Sequence, residues 1–152
     1  MILNRLVLPM SLLAMVGMAA CGPFYELNFT SVNAVREADD HVTATADMIC
    51  HLSGVESCSH SGDGLCVRAE WYPAAAVKRD AGTNGGESSY DSSQLIDQVR
   101  TCQQTVLKHK QAATFVMSSN VVIPKASTVI RVIVETTQGG TPEDHERAIP
   151  SP

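Results

Sequence analysis

Alternation of apolar and polar residues predicts three β-strands. In residues 24–31, 41–52 and 65–72 every second side chain is apolar, as in a strand with one buried face. Residues 41–52 also allow a helical interpretation, which their alanines favour, but the long alternation favours a strand. Residues 113–116 are predicted to be extended. The run at residues 128–136 is the most β-prone in the chain, because β-branched residues dominate it.

One main helix is predicted over about residues 92–110. Ser92 or Ser93 can cap its first turn. Four apolar residues then follow one another at intervals of four, three and four positions, which places them on one helix face. These residues are Leu95, Val99, Cys102 and Val106. The predicted fold is therefore α+β: a small sheet or sandwich-like domain of about five strands with this helix, stabilised by disulfides.

The N-terminus has the organisation of a bacterial export signal. Arg5 supplies a positive charge, and the uncharged run from Leu6 to Met18 is 13 residues long. That run is shorter than the ~20 residues of a membrane-spanning helix. The following residues, Met18-Ala19-Ala20-Cys21, resemble the lipobox of bacterial lipoproteins, with methionine where leucine is usual. The resemblance implies cleavage before Cys21 and acylation of that cysteine.

This resemblance implies that the protein lies outside the inner membrane and is anchored to a membrane by lipid. The alternative is an ordinary secretory signal cut near Ala20, with Cys21 incidental. Gly22 follows the cysteine, whereas aspartate there retains enterobacterial lipoproteins in the inner membrane. By analogy we expect the outer membrane, with the domain facing the periplasm and the cell surface as the alternative location.

The domain organisation follows from the same signals. Residues 1–20 are the predicted signal peptide, and residues 21–136 form a single mature domain. Residues 137–152 contain glycines, prolines and charges without apolar periodicity, and are predicted to be a disordered tail.

The net charge of the mature chain limits the classes of partner that it is expected to bind. Cleavage leaves 10 basic and 16 acidic side chains, a net charge of −6. This acidic balance argues against nucleic acid, which selects a basic patch, and against anionic lipid as a second anchor. The expected contacts are the membrane, through the acyl chains on Cys21, and a protein of the envelope.

Four cysteines remain beside Cys21, and the oxidising compartment favours two disulfides among them. Three pairings of Cys50, Cys58, Cys66 and Cys102 are open. The turn at residues 62–64 favours Cys58–Cys66, which leaves Cys50–Cys102.

The sequence gives little support for a metal site or a catalytic site. Histidines beside Cys50 and near Cys58 make a zinc site conceivable, but the spacings are not those of paired ligands and disulfides would remove the thiolates. A nucleophile set of Cys58, His60 and Asp63 would lie in one short loop, whereas catalytic triads draw on separate elements. No catalytic residue, metal or cofactor is predicted.

The predicted function is a non-catalytic accessory lipoprotein that serves an outer-membrane or secretion complex. The expected architecture is similar in outline to lipoproteins of type II and type VI secretion systems, although no motif of the mature chain carries that similarity. The alternatives are a ligand-binding or sensing periplasmic lipoprotein and, less favoured, a small hydrolase. A packed core with an exposed strand edge favours partner binding, whereas an apolar pocket with convergent polar groups favours a ligand.

Overall fold

The computed structural model describes residues 24–79, 88–136 and 146–152. These residues form nine β-strands, and two short 3-10 turns lie at Ala74–Ala76 and Ser92–Gln94. The strands are β1 Phe24–Arg36, β2 Val42–Ser53, β3 Leu65–Pro73, β4 Val77–Arg79, β5 Ser88–Tyr90, β6 Asp97–Gln103, β7 Ala112–Ser118, β8 Thr128–Val134 and β9 Glu146–Pro150.

The predicted α+β class is wrong, because the described residues are mostly β and include no helix of seven residues or more. The segment predicted as a helix over 92–110 instead contains a 3-10 turn, strand β6 and a loop. Its apolar residues do not share one surface: Val99 packs against the core, whereas the side chain of Val106 is 64% exposed. The predicted serine cap is also wrong, since Asp91 caps this segment and Ser92 and Ser93 lie within the turn Ser92–Gln94.

The strands form two antiparallel sheets that enclose one core. A three-stranded sheet has the order β1-β2-β7, and a four-stranded sheet has the order β6-β3-β8-β9. Strands β4 and β5 pair separately as a short ribbon. Such sheets bury one face each, and their inward side chains interdigitate as in a β-sandwich.

The core follows the alternation that the sequence displays. From β2 the core receives Val42, Ala44, Ala46, Met48 and Cys50. From β3 and β8 it receives Leu65, Val67, Ala69, Trp71, Ile130, Val132 and Val134. All are at most 4% exposed and belong to one hydrophobic cluster. Burial of these side chains, worth roughly 1.5–3 kcal/mol for each large one, is what holds the sheets face to face.

A bulge in β1 explains why its alternation is interrupted. Phe29 pairs with Met48 and Ser31 with Asp47, so Thr30 is an extra residue with no partner on β2. Beyond it the inward positions change from odd to even numbers, and Val32 and Ala34 pack against the core. The bulge thus extends the strand predicted at 24–31 to Arg36 while keeping apolar side chains inward.

Residues 146–150 form β9, which pairs antiparallel with β8 at the edge of the four-stranded sheet. The prediction of a disordered tail from residue 137 therefore does not describe these residues. Residues 137–145 lie outside the described part of the chain. Ile149 pairs with Ile130 and packs against the core, a long-range contact that local sequence does not indicate.

The sandwich has two ends, which carry different loops. At the Phe24 end, β1 begins beside Ser53, the last residue of β2, and two loops are joined: the Cys58 loop (residues 54–64) and the Leu107 loop (residues 104–111). At the Asp40 end lie the β1–β2 turn and the loop between β7 and β8, where the N–H of Ile123 donates to the Asp40 carbonyl at 3.1 Å.

Candidate functional site

The four cysteines of the domain form two disulfides, as predicted. Their pairing differs from the favoured one: the bonds are Cys50–Cys58 and Cys66–Cys102. The favoured pairing relied on the turn at residues 62–64, but that turn directs Cys66 into β3, where its register partner is Cys102 on β6. Cys21, the predicted lipid-bearing residue, lies outside the described residues, as does the predicted signal peptide.

The disulfides leave no free thiol for metal binding or catalysis among the described cysteines. One described group of potential ligands comes together, namely Asp63, Cys66 and Cys102, and its two sulfur atoms are bonded to each other. The suggested set of Cys58, His60 and Asp63 is also dispersed. Cys58 is bonded to Cys50, His60 Nδ1 lies 3.2 Å from the Tyr25 hydroxyl, and Asp63 pairs with Arg100.

A ladder of alternating charges occupies the outer face of the four-stranded sheet. Each member lies within 3.3 Å of the next, from an acidic residue at one end to another at the opposite end. In order, this charged ladder consists of Asp63, Arg100, Glu135, Arg68, Glu70, Arg131 and Glu146. Every arginine of this ladder lies between two carboxylates, and these ion pairs compensate the free-energy cost of removing the charges from water.

Two tyrosines cover the part of the charged ladder around Glu70 and Arg131. Glu70 is only 5% exposed and accepts a hydrogen bond of 3.0 Å from the hydroxyl of Tyr72. Tyr90 of β5 packs on Tyr72, and the guanidinium of Arg131 lies 4.3 Å from the centre of the Tyr90 ring. Burial and the nearby carboxylate of Glu146 raise the pKa of Tyr90 to about 12. The charges on the outer face of this sheet therefore largely neutralise one another, and the two tyrosines shield part of that face from solvent.

The outer face of the three-stranded sheet is almost free of charge. Its one central carboxylate, Asp47 of β2, accepts 2.7 Å hydrogen bonds from Ser31 of β1 and Thr114 of β7. These two hydroxyl donors lower the pKa of Asp47. The three residues are register partners, so they join all three strands side by side.

One side of the sandwich, where β6 lies beside β7, is closed by side chains. Thr101 donates a hydrogen bond to the carbonyl of Val116 at 3.0 Å, and Gln103 donates to the carbonyl of Thr114 at 2.6 Å. Carbonyl groups on the free edge of β7 are thereby satisfied within the domain. This is one of the ways in which proteins block an edge against unwanted strand pairing.

The opposite side, between β1 and β9, is open. Strand β1 is thirteen residues long, and no described strand pairs with it on the side away from β2. A groove of about 300 Å³ separates it from β9. The lining is Phe29, Thr30, Ser31, Val32, Arg147, Ala148 and Ile149, and we call this groove with its two strand edges the β1–β9 seam.

The β1–β9 seam combines apolar and polar groups. Phe29, Val32 and Ile149 are half-buried and form its floor against the core, whereas Thr30 and Arg147 are exposed at its rim. At the Asp40 end, the Arg36 side chain bridges the two edges by donating to the Pro152 carbonyl at 2.8 Å. The seam can therefore accept an extended chain, which would find backbone partners on β1 and an apolar floor beneath it.

Sequence reasoning missed every residue of this seam as a site. The interruption of the alternation between Phe29 and Val32 was a detectable signal of the bulge. The β9 half gave no local signal, because its residues become a strand only by pairing with β8.

Comparison with known proteins supplies no assignment: no protein-family model matches the chain, and no curated protein or solved structure is significantly similar to it. None of the described residues belongs to a helix long and apolar enough to cross a membrane.

Proposed function

We propose that this protein is a non-catalytic lipoprotein of the outer membrane, anchored by acyl chains on Cys21, that binds an envelope protein through the β1–β9 seam. The observation that carries the binding site is the unpaired edge of β1 beside an apolar groove. Exposed edges are templates for strand addition, and proteins that do not use them usually block them. Here side chains of β6 cover the β7 edge, whereas no described strand pairs with the β1 edge away from β2.

The two disulfides support the proposed compartment, since such bonds persist outside the reducing cytosol. The lipobox-like residues 18–21 support the anchor. The described cysteines support a non-catalytic role, because all four of their thiols are consumed in disulfides.

Partner binding fits the seam better than a small ligand does. The groove volume, about 300 Å³, lies at the lower limit of the roughly 300–1,000 Å³ typical of ligand pockets. Its polar groups are at the exposed rim, whereas a ligand site requires polar groups that converge on an enclosed molecule. The domain core itself is packed by fully buried side chains.

Site-specific photo-crosslinking in intact cells tests this proposal. A photoreactive amino acid at Thr30, which is exposed in the seam, should form a crosslink to a discrete envelope protein. The same probe at Val116, which is 52% exposed on β7, is the matched control and should form none.

A charge placed in the seam should abolish that crosslink. Ala148 and Ala112 are both exposed alanines on edge strands, but only Ala148 lines the groove. Ala148→Lys should remove the crosslink formed from Thr30, whereas Ala112→Lys should leave it. Equal crosslinking from Thr30 and Val116, or a crosslink that survives Ala148→Lys, would refute the proposed site.

A further inference from the structure

The Leu107 loop is held firmly at the Phe24 end of the sandwich. Leu107 exchanges two backbone hydrogen bonds with Cys58, of 2.8 and 3.0 Å, and its side chain is buried. Two more backbone hydrogen bonds, at 2.8 and 3.0 Å, join Cys50 to Lys110 and Gln111. Because Cys50 and Cys58 are bonded to each other, the loop is fixed at both of its sides.

The residues around this buried leucine project into solvent and have a distinct chemistry. Val106 is the most exposed of the large apolar side chains in the described residues, at 64%. Lys108, His109 and Lys110 follow it and are all exposed. Neither lysine forms an ion pair with a described carboxylate, in contrast to Lys125, which pairs with Asp40 at 3.1 Å. We call Val106, Lys108, His109 and Lys110 the Leu107-loop surface.

Acidic groups also lie at this end, all of them outside the Leu107 loop. Asp63 is engaged by Arg100 at 2.8 Å, and Glu26 accepts a hydrogen bond from Asn28 at 3.3 Å. Glu56 is exposed on the Cys58 loop. The Leu107 loop itself, residues 104–111, contains both lysines and no carboxylate, so this loop is basic although the chain as a whole is acidic.

The sequence places the predicted anchor at this same end. Cys21 precedes Phe24 by three residues, which span at most about 10 Å. Phe24 is the register partner of Ser53, and the neighbouring Leu52 N–H donates to His109 Nδ1 at 3.3 Å. Two strand spacings of about 5 Å separate β1 from the Leu107 loop. An acylated Cys21 would therefore bring this loop to the level of the lipid headgroups.

We propose that the Leu107-loop surface docks on anionic phospholipid headgroups, with Val106 inserted among them and Lys108 and Lys110 in contact with phosphate. This inference rests on the proposed lipid anchor at Cys21. Insertion of an apolar side chain and contact of nearby lysines with anionic lipid both strengthen binding to a membrane interface. Docking would fix the long axis of the sandwich upright and present the Asp40 end away from the membrane, with the β1–β9 seam along its side.

Tryptophan fluorescence of the acylated protein in vesicles tests the docking. Val106→Trp places a reporter on the surface, and Val122→Trp is the matched control, because Val122 is 56% exposed at the Asp40 end. Trp71 is fully buried and gives a constant background. In vesicles of phosphatidylcholine and phosphatidylglycerol, Val106→Trp should shift its emission to the blue and be quenched by brominated lipid. Val122→Trp should show neither effect.

The lysines should make this docking dependent on lipid charge. Replacing Lys108 and Lys110 by glutamine should weaken docking about fivefold for each lysine, whereas Lys125→Gln should not weaken it. Phosphatidylcholine vesicles and high salt should have the same effect as the double replacement. Equal quenching at Val106 and Val122, or quenching that the double replacement does not change, would overturn the inference.

Mass spectrometry of the N-terminal peptide separates the two proposals. If Cys21 carries acyl chains and Val106→Trp is not quenched, the docking surface is wrong and the anchor stands. If Cys21 carries no acyl chain, both the anchor and the docking inference fail.

Discussion

Cys66 on β3 and Cys102 on β6 are register partners and are joined by a disulfide on the outer face of the four-stranded sheet. The bond closes 36 residues of chain, whereas Cys50–Cys58 closes only 8. It ties β6, an edge strand, to the centre of its sheet. Because loop-closure entropy increases with the length of the closed segment, the two bonds should differ in their effect on stability.

Removing the two disulfides separately should therefore give unequal losses. The chain-entropy model predicts that Cys66→Ala with Cys102→Ala lowers the free energy of unfolding by about 4 kcal/mol, and that Cys50→Ala with Cys58→Ala lowers it by about 2.5 kcal/mol. Urea unfolding of each variant measures these values. A larger loss from the Cys50–Cys58 variant would contradict this order.

The Cys66–Cys102 bond also explains why sequence reasoning failed in this segment. Leu95, Val99, Cys102 and Val106 have helical spacing, yet Cys102 faces away from the core to reach Cys66, and Val106 is exposed. The helical spacing of these four residues is therefore coincidental, because their side chains lie in different environments. In contrast, the alternation of apolar and polar residues in β2 and β3 matches the burial of their side chains. Each of these strands lies between two others in its sheet, and both were predicted nearly to their ends.

The candidate site was less predictable than the core. Its elements depend on which strands become edges, and this is decided by pairings such as β8 with β9 that connect distant residues. The bulge at Thr30 left a signal in the sequence, but nothing local indicates that β9 lies across a groove from it.

Gly64 should tolerate no side chain. Its φ is +84°, and a Cβ there would clash with the backbone carbonyl of Gln103. Gly62 has a similar φ of +81° but open space around it. Gly62→Ala should therefore cost only the backbone strain, about 1 kcal/mol, whereas Gly64→Ala should cost about 3 kcal/mol because β6 must move as well. Thermal and urea unfolding compare the two; equal losses would show that the close approach is unimportant.

Glu70 should be the most sensitive carboxylate of the charged ladder. It is 5% exposed, with Arg68 at 3.0 Å and Arg131 at 3.3 Å. Glu70→Gln leaves these guanidinium groups without their shared anion and should cost about 3 kcal/mol. Glu135→Gln, at a more exposed member of the ladder, should cost less than about 1 kcal/mol. Equal costs in urea unfolding would argue against burial as the deciding factor.

Tyr90 should make the domain sensitive to high pH. Its pKa is raised to about 12, above the ordinary 10.0, chiefly by burial and then by Glu146. The protonated phenol therefore contributes stability that is complete below pH 10 and is lost as the pH rises through about 12. Tyr90→Phe retains a ring over Arg131 and should flatten this loss. The free energy of unfolding, measured from pH 9 to 12, tests this prediction. An equally steep decrease with pH in Tyr90→Phe would show that Tyr90 is not its cause.

Backbone hydrogen–deuterium exchange tests most directly whether a partner occupies the β1–β9 seam. Peptides that cover residues 29–36 should exchange more slowly in native envelope membranes than in the purified acylated protein in vesicles, because strand addition would protect the free amides of β1. Peptides of β7 at residues 112–118, whose edge is already covered, should exchange equally in both. Equal exchange of residues 29–36 in the two preparations would contradict the account.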